Sequence, residues 1–193
     1  MDRINVVVDM DDTITNSSQY VLKLLNERYE SAYLDTDIFP DMKREEFISL
    51  FEQEDFYDRC GAIKDAIETI NKHSLYDGDN FFKFHICTIG TQQNLLNKYN
   101  WIMNHIFGDI NIIGVLDGNN KDKVNMKNSI QIDDKYDYLV RTNSKIKILL
   151  TNGYDREYNK VRPNDEIYVV DNWKQIDEIL YFCKNNAEEF MNI

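Results

Sequence analysis

Ile4-Asn5-Val6-Val7-Val8-Asp9-Met10-Asp11-Asp12-Thr13 is the stretch from which the rest of this chain is read. Its first half is β-branched and nearly continuous, the pattern of a central strand covered on both faces. Its second half crowds three carboxylates at the strand's C-terminal end. In an open parallel α/β sheet, that end is where the ligand crevice lies.

Working outward, Val21, Leu22, Leu24, Leu25 and Tyr29 recur near helical spacing from Ser17 to about Tyr33. Pro40 breaks the pattern, Phe47, Ile48 and Phe51 suggest a second helix, and Gly61-Ala62-Ile63 through about Lys72 suggests a third. Phe81 to Thr88 reads as the next strand, followed by a helix through Leu95, Leu96, Tyr99, Trp101 and Ile102. Strands are expected at Ile110 to Leu116, Ser129 to Asp133, Lys145 to Leu150 and Ile167 to Val170, with a closing helix from about Trp173 towards Phe182. This alternation predicts an α/β fold with a doubly wound, Rossmann-like parallel sheet. Residues 14–79 exceed an ordinary crossover and are expected to form a small helical cap inserted after the first strand. Residues 1–13 and 80–193 would form the core.

Composition narrows the function. A hydrophobic share of 42% and a charged share of 29% are those of an ordinary globular protein. The net charge of −12 repels a polyanion, which argues against long nucleic acid as a partner, whereas a small phosphorylated molecule needs only a local site. No apolar run approaches the roughly 18 residues of a membrane span, and Met1-Asp2-Arg3 leads into a strand and not a signal peptide, so the cytoplasm is the expected location. Cys60, Cys87 and Cys183 have neither zinc nor redox spacing, and His73, His85 and His105 show no metal pattern.

Three predicted strands end in polar groups: Asp9 with Asp11, Thr88, and Asp133 with Asp134. Several carboxylates in one crevice call for a hard divalent cation, and Mg²⁺ is the expected one. Asp9 would then attack phosphorus while Asp11 protonates the leaving alcohol and later deprotonates water. Thr88 would donate a hydrogen bond and Lys123 a positive charge to the phosphoryl oxygens, with Lys127 as the rival lysine.

The motif Val7 to Thr13, together with Ile86-Cys87-Thr88, Lys123 and Ile130 to Asp134, resembles the four motifs of the haloacid dehalogenase-like phosphatases. The order and spacing are similar to those of the 5′(3′)-deoxyribonucleotidases, as are Tyr99-Asn100-Trp101-Ile102, Leu149 to Arg156 and Asp171-Asn172-Trp173. The resemblance implies a nucleoside monophosphate as substrate, with Asp9 as nucleophile and Asp11 as acid/base. It further implies Thr88 and Lys123 as phosphate contacts. Asp9, Asp134 and the Asp11 backbone carbonyl would be Mg²⁺ ligands, and Asp133 a supporting acid. The chain departs from the pattern at Asp12 and Thr13, where the family usually has Gly and an aliphatic residue, and at Ile89-Gly90, where it has Ser-Pro.

Plainer readings stand beside these. The aspartates after the first strand suit a solvated turn, and Asp133-Asp134 suit a helix N-terminus. Phe47, Phe51, Phe56 and Tyr57 could stack a nucleobase, but aromatics on short helices more often fill the cap's own core. The alternatives in function are a phosphatase of another small metabolite, such as a sugar phosphate, and a catalytically idle nucleotide-binding relative.

Overall fold

The structure is a computed structural model that describes residues 3–30, 44–75, 81–116, 129–153 and 159–186. β1 (Ile4–Val8), β2 (Phe82–Ile89), β3 (Ile110–Val115), β4 (Ser129–Asp133), β5 (Ile146–Leu150) and β6 (Tyr168–Val170) form one parallel sheet in the order β3-β2-β1-β4-β5-β6. The chain winds from β1 to β3 in one direction and from β4 to β6 in the other. The switch point therefore lies between β1 and β4, where such sheets open a crevice. The expected doubly wound α/β sheet is present, strand by strand.

Seven helices accompany the strands in the described residues: α1 (Ser17–Tyr29), α2 (Arg44–Phe51), α3 (Phe56–Cys60), α4 (Ala66–Ser74), α5 (Gln92–His105), α6 (Tyr136–Arg141) and α7 (Trp173–Asn185). The sequence pattern missed α3 and α6, which at five and six residues are too short to display helical periodicity. It also began α4 too early. Gly61 takes φ 69 and Ala62 pairs with Thr15, so the chain is extended where a helix was expected.

That extended segment organises the insertion. Asn16 donates to Gly61 O at 3.1 Å, Ile63 donates to Ile14 O at 2.8 Å, and Asn16 Nδ2 donates to Ala62 O at 3.0 Å. The chain thus leaves the sheet along residues 14–16 and returns beside itself along 61–63. After the return, α4 packs against β2 and α7, whereas α1 and α3 pack on each other and α3 on α5. One apolar core runs through Val6, Val8, Ile86 and Ile132 of the sheet to Trp101, Ile102, Trp173 and Ile176 of the helices. The aromatics of α2 and α3 join it: the rings of Phe51 and Phe56 lie 4.8 Å apart and those of Phe56 and Tyr57 5.0 Å apart, so they fill a core. The histidines are structural. His85 bridges Asn5 and Asn111, His73 meets Asp177, and His105 stacks on Trp101.

Candidate active site

The turn after β1 winds around one carbonyl. Met10 O accepts from the amides of Thr13, Ile14 and Thr15 at 3.3, 2.8 and 3.0 Å, so the chain reverses immediately beyond Asp9. Asp9 N still donates to Ile132 O at 3.0 Å, which prolongs the β1–β4 pairing and sets Asp9 alongside Asp133. Asp12 has φ 57, a left-handed conformation that Asp tolerates better than most residues. Its carboxylate accepts from the Ser18 amide at 2.8 Å and from the Ser18 hydroxyl, capping the first turn of α1. The departure at this position therefore places a helix-capping acid where a glycine would supply only the backbone conformation.

Asp9, Asp133 and Asp134 are buried, and each offers a carboxylate oxygen within 4.8 Å of the other two. Burial, then the charges of Asp9, Asp133 and Asp12, push the Asp134 carboxyl well above its ordinary range, and Lys135 offsets only part of this. An anionic, oxygen-only donor set in which Asp9 and Asp133 raise the proton affinity of Asp134 suits a hard divalent cation such as Mg²⁺. Asn159 holds the β4 end in place, with Nδ2 donating to Asp134 O at 2.7 Å and Oδ1 accepting from the Tyr136 amide at 3.1 Å.

The Asp11 side chain lies outside that cluster. Its Oδ1 accepts from Ser17 Oγ at 2.7 Å and Tyr57 OH at 3.2 Å, and its Oδ2 from Lys98 Nζ. Burial alone would raise the Asp11 carboxyl, but the Lys98 charge and the hydrogen bonds from Lys98, Ser17 and Tyr57 together hold it below its ordinary range. Burial and the nearby Asp11 charge push the Tyr57 phenol far up, keeping it a donor. Burial and the charges of Asp11 and Asp12 push the neighbouring Cys60 thiol up to about 12, which leaves it inert as a nucleophile.

Lys98 is absent from the residues that the sequence singled out. It is 1% exposed, and its ammonium donates to Asp11 Oδ2, to Thr88 Oγ1 at 2.7 Å and to Ile89 O at 2.6 Å. Three donors meet three acceptors. Thr88 is buried at the end of β2 and accepts from Lys98, so its own proton is directed elsewhere. A signal was available, because Asn94, Asn97, Lys98, Trp101 and Ile102 form the buried i, i+3, i+4, i+7, i+8 stripe of α5. A lysine inside such a stripe needs a buried partner. Lys123 and its rival Lys127 lie outside the described residues.

Asp9, Asp11, Thr88, Asp133 and Asp134 thus gather at the ends of three adjacent strands, β2, β1 and β4, at the switch point. The sequence matches the family described as 5′ nucleotidase, deoxy (pyrimidine), cytosolic type C protein over residues 2–186. The chain belongs to this nucleotidase family. Its phosphatase chemistry and haloacid dehalogenase-like class follow from that membership. Two solved structures share the fold. One is the haloacid dehalogenase-type hydrolase YfnB from Bacillus subtilis, described as bound to magnesium, with 14% identity, TM-score 0.55, and coverage of 93% of this chain and 99% of that one. The other is a subfamily IA hydrolase of the same superfamily from Geobacter sulfurreducens, with 10% identity, TM-score 0.51, and coverage of 92% and 96%. A comparison with curated protein sequences finds no match. Among the described residues of this nucleotidase-family chain, no helix is long and apolar enough to cross a membrane.

Proposed function

We propose that the chain is a Mg²⁺-dependent phosphomonoesterase that transfers the phosphoryl group of a deoxynucleoside or nucleoside monophosphate to Asp9 and then to water. The observation that carries this reading is the division of the crevice into two halves. Asp9 shares one with Asp133 and Asp134, while Asp11, Lys98 and Thr88 form the other. On this reading the nucleophile belongs to one group of side chains and the proton carrier to the other.

In the first step an Asp9 carboxylate oxygen bonds to phosphorus, the bond from phosphorus to the ester oxygen breaks, and Asp11 gives that oxygen its proton. In the second, water attacks the phosphoryl group, Asp11 takes the water proton, and the bond to Asp9 breaks to release inorganic phosphate. Asp9, Asp134 and the Asp11 carbonyl would hold Mg²⁺, with Asp133 in support. The ion would supply neutralisation of the carboxylates and of the phosphoryl charge. Thr88 donates its free hydroxyl proton to a phosphoryl oxygen, and Lys98, anchored to Asp11 and Thr88, contributes positive charge beside it. Lys123 remains the second cation proposed for phosphate.

A phosphate dianion arriving beside Lys98 would share its ammonium with Asp11 and add negative charge. Both effects raise the proton affinity of Asp11, as its acid role requires. The cap proposed to choose the leaving group is the inserted stretch of residues 14–79, in which α1 and α3 pack on each other and α4 packs on β2 and α7.

The test is phosphate release from ribo- and deoxyribonucleoside monophosphates and sugar phosphates, with and without Mg²⁺, by wild type and Asp9→Asn. Mg²⁺-dependent nucleotide turnover lost in Asp9→Asn supports the assignment. Equal or better turnover of sugar phosphates would sink its nucleotide half.

A further inference from the structure

We propose that Tyr57, oriented by Asn94, is a positioning residue for the Asp11 carboxylate, coupling the acid/base group to the inserted helices. The inference rests on the acid/base reading of Asp11 given above.

Asn94 sits 4% exposed in the first turn of α5. Its Nδ2 donates to the Phe51 carbonyl at 2.9 Å, and a carbonyl can only accept, so this bond fixes which end of the amide is nitrogen. The same Nδ2 donates to Tyr57 OH at 2.9 Å. With a lone pair of the phenol thus engaged, its single proton points to Asp11 Oδ1, 3.2 Å away. Ser17 donates to that same oxygen, so Oδ1 is doubly occupied, whereas Oδ2 accepts from Lys98 and keeps a second lone pair for proton exchange. The Tyr57 ring also lies 5.9 Å from the Lys98 ammonium, covering the cation that binds Oδ2.

The coupling runs through a dense junction. Asn97 Nδ2 donates to Glu52 O and Gln53 O, both at 3.0 Å, and Thr91 Oγ1 donates to Glu52 Oε1 at 2.6 Å. The end of α2 and the following turn are thereby fastened to the start of α5. Displacing the inserted helices from α5 would withdraw Tyr57 from Asp11 along with them.

Gly90 leaves the space that the junction needs. A Cβ on residue 90 would lie 2.1 Å from Asn94 Oδ1, so the amide occupies space that any other residue would fill. Gly90 N also donates to Val115 O at 3.0 Å, a bond that proline cannot make. Gly90 therefore provides the room that Asn94 uses.

The test compares wild type, Tyr57→Phe, Asn94→Ala and Gly90→Ala on two substrates with Mg²⁺. p-Nitrophenyl phosphate has a leaving group that departs without protonation, whereas the alcohol of a deoxynucleoside 5′-monophosphate requires an acid. In single-turnover release of the leaving group, which precedes the hydrolysis step that also uses Asp11, each variant should slow about tenfold on the nucleotide with KM little changed, and less than about twofold on the aryl phosphate. Equal losses on both substrates, a change confined to KM, or full activity in all three variants would overturn the positioning role while leaving the phosphatase reading intact. Absence of turnover by wild type on both substrates would instead overturn that reading and this inference with it. Circular dichroism identifies a variant that fails to fold, and the remaining two then carry the comparison.

Discussion

Lys98 Nζ lies 2.7 Å from Thr88 Oγ1, joining the buried stripe of α5 to the C-terminal end of β2 within the crevice. The same ammonium reaches Asp11, so one side chain ties together the Thr88 hydroxyl and the Asp11 carboxylate, the groups proposed as phosphate contact and proton carrier.

Lys98→Met keeps the length of the side chain and removes its charge. Asp11 Oδ2, Thr88 Oγ1 and Ile89 O then lose their shared donor, and Thr88 is free to turn its proton inward. A loss of about 10²–10³ in kcat/KM is expected, the range for removing one preorganised electrostatic donor. Stability should fall by about 2–3 kcal/mol, below the usual loss for a broken buried pair because the Asp11 side chain is 31% exposed. Steady-state kinetics and denaturant unfolding check both. A fully active Lys98→Met would remove this residue from the site.

Asp12 combines a left-handed backbone with a cap on α1. Asp12→Ala loses the cap and places an unsuited residue at φ 57, for a cost of about 1–2 kcal/mol. Asp12→Gly relieves the backbone and should cost less than about 1 kcal/mol. Urea midpoints decide it. If the two variants unfold alike, backbone conformation is not what the position demands.

Much of this was legible in sequence, for identifiable reasons. Buried parallel strands announce themselves through runs such as Ile4 to Val8, and acids at their ends, Asp9 and Asp133, mark the crevice. Lys98 escaped because a lysine is read as surface unless the helix phase is followed through Asn94, Trp101 and Ile102. Tyr57 escaped because its ring packs with Phe56 as the core reading expected, while only the three-dimensional fold carries its hydroxyl to Asp11, 46 residues away in sequence. The return of the chain at 61–63 was hidden because Gly61-Ala62-Ile63 continues an apolar helical pattern, and only pairing with 14–16 makes it extended.

His73 is nearly buried and donates or accepts at 2.6 Å with Asp177, which also holds Lys72. Burial lowers the His73 pKa from 6.5 despite the raising influence of Asp177. The unfolded chain therefore binds a proton first as pH falls, and stability is lost from about 6.5 down to the lower folded value. Asp177 is also held low, so its contribution disappears in a second window below 3.8. Between pH 7 and 5 the melting temperature of wild type should fall relative to that of His73→Gln, a difference in which the opposite contribution of Asp134 cancels. Parallel curves would show that His73 does not carry the first window.

Mg²⁺ should stabilise the protein increasingly as pH rises. The folded, metal-free Asp134 carboxyl titrates well above 3.8 because of burial and the neighbouring Asp9 and Asp133 charges. Between 3.8 and that raised value the folded state holds a proton that the unfolded state has released, so metal-free stability falls as pH rises through this window. A bound cation requires the carboxylate, and it displaces the proton while neutralising the repulsion that raised the pKa. The shift in melting temperature on adding Mg²⁺ is therefore expected to be small at pH 5, larger at pH 8, and largely lost in Asp134→Asn. Equal shifts at both pH values, or an undiminished shift in Asp134→Asn, would place the ion away from Asp9, Asp133 and Asp134.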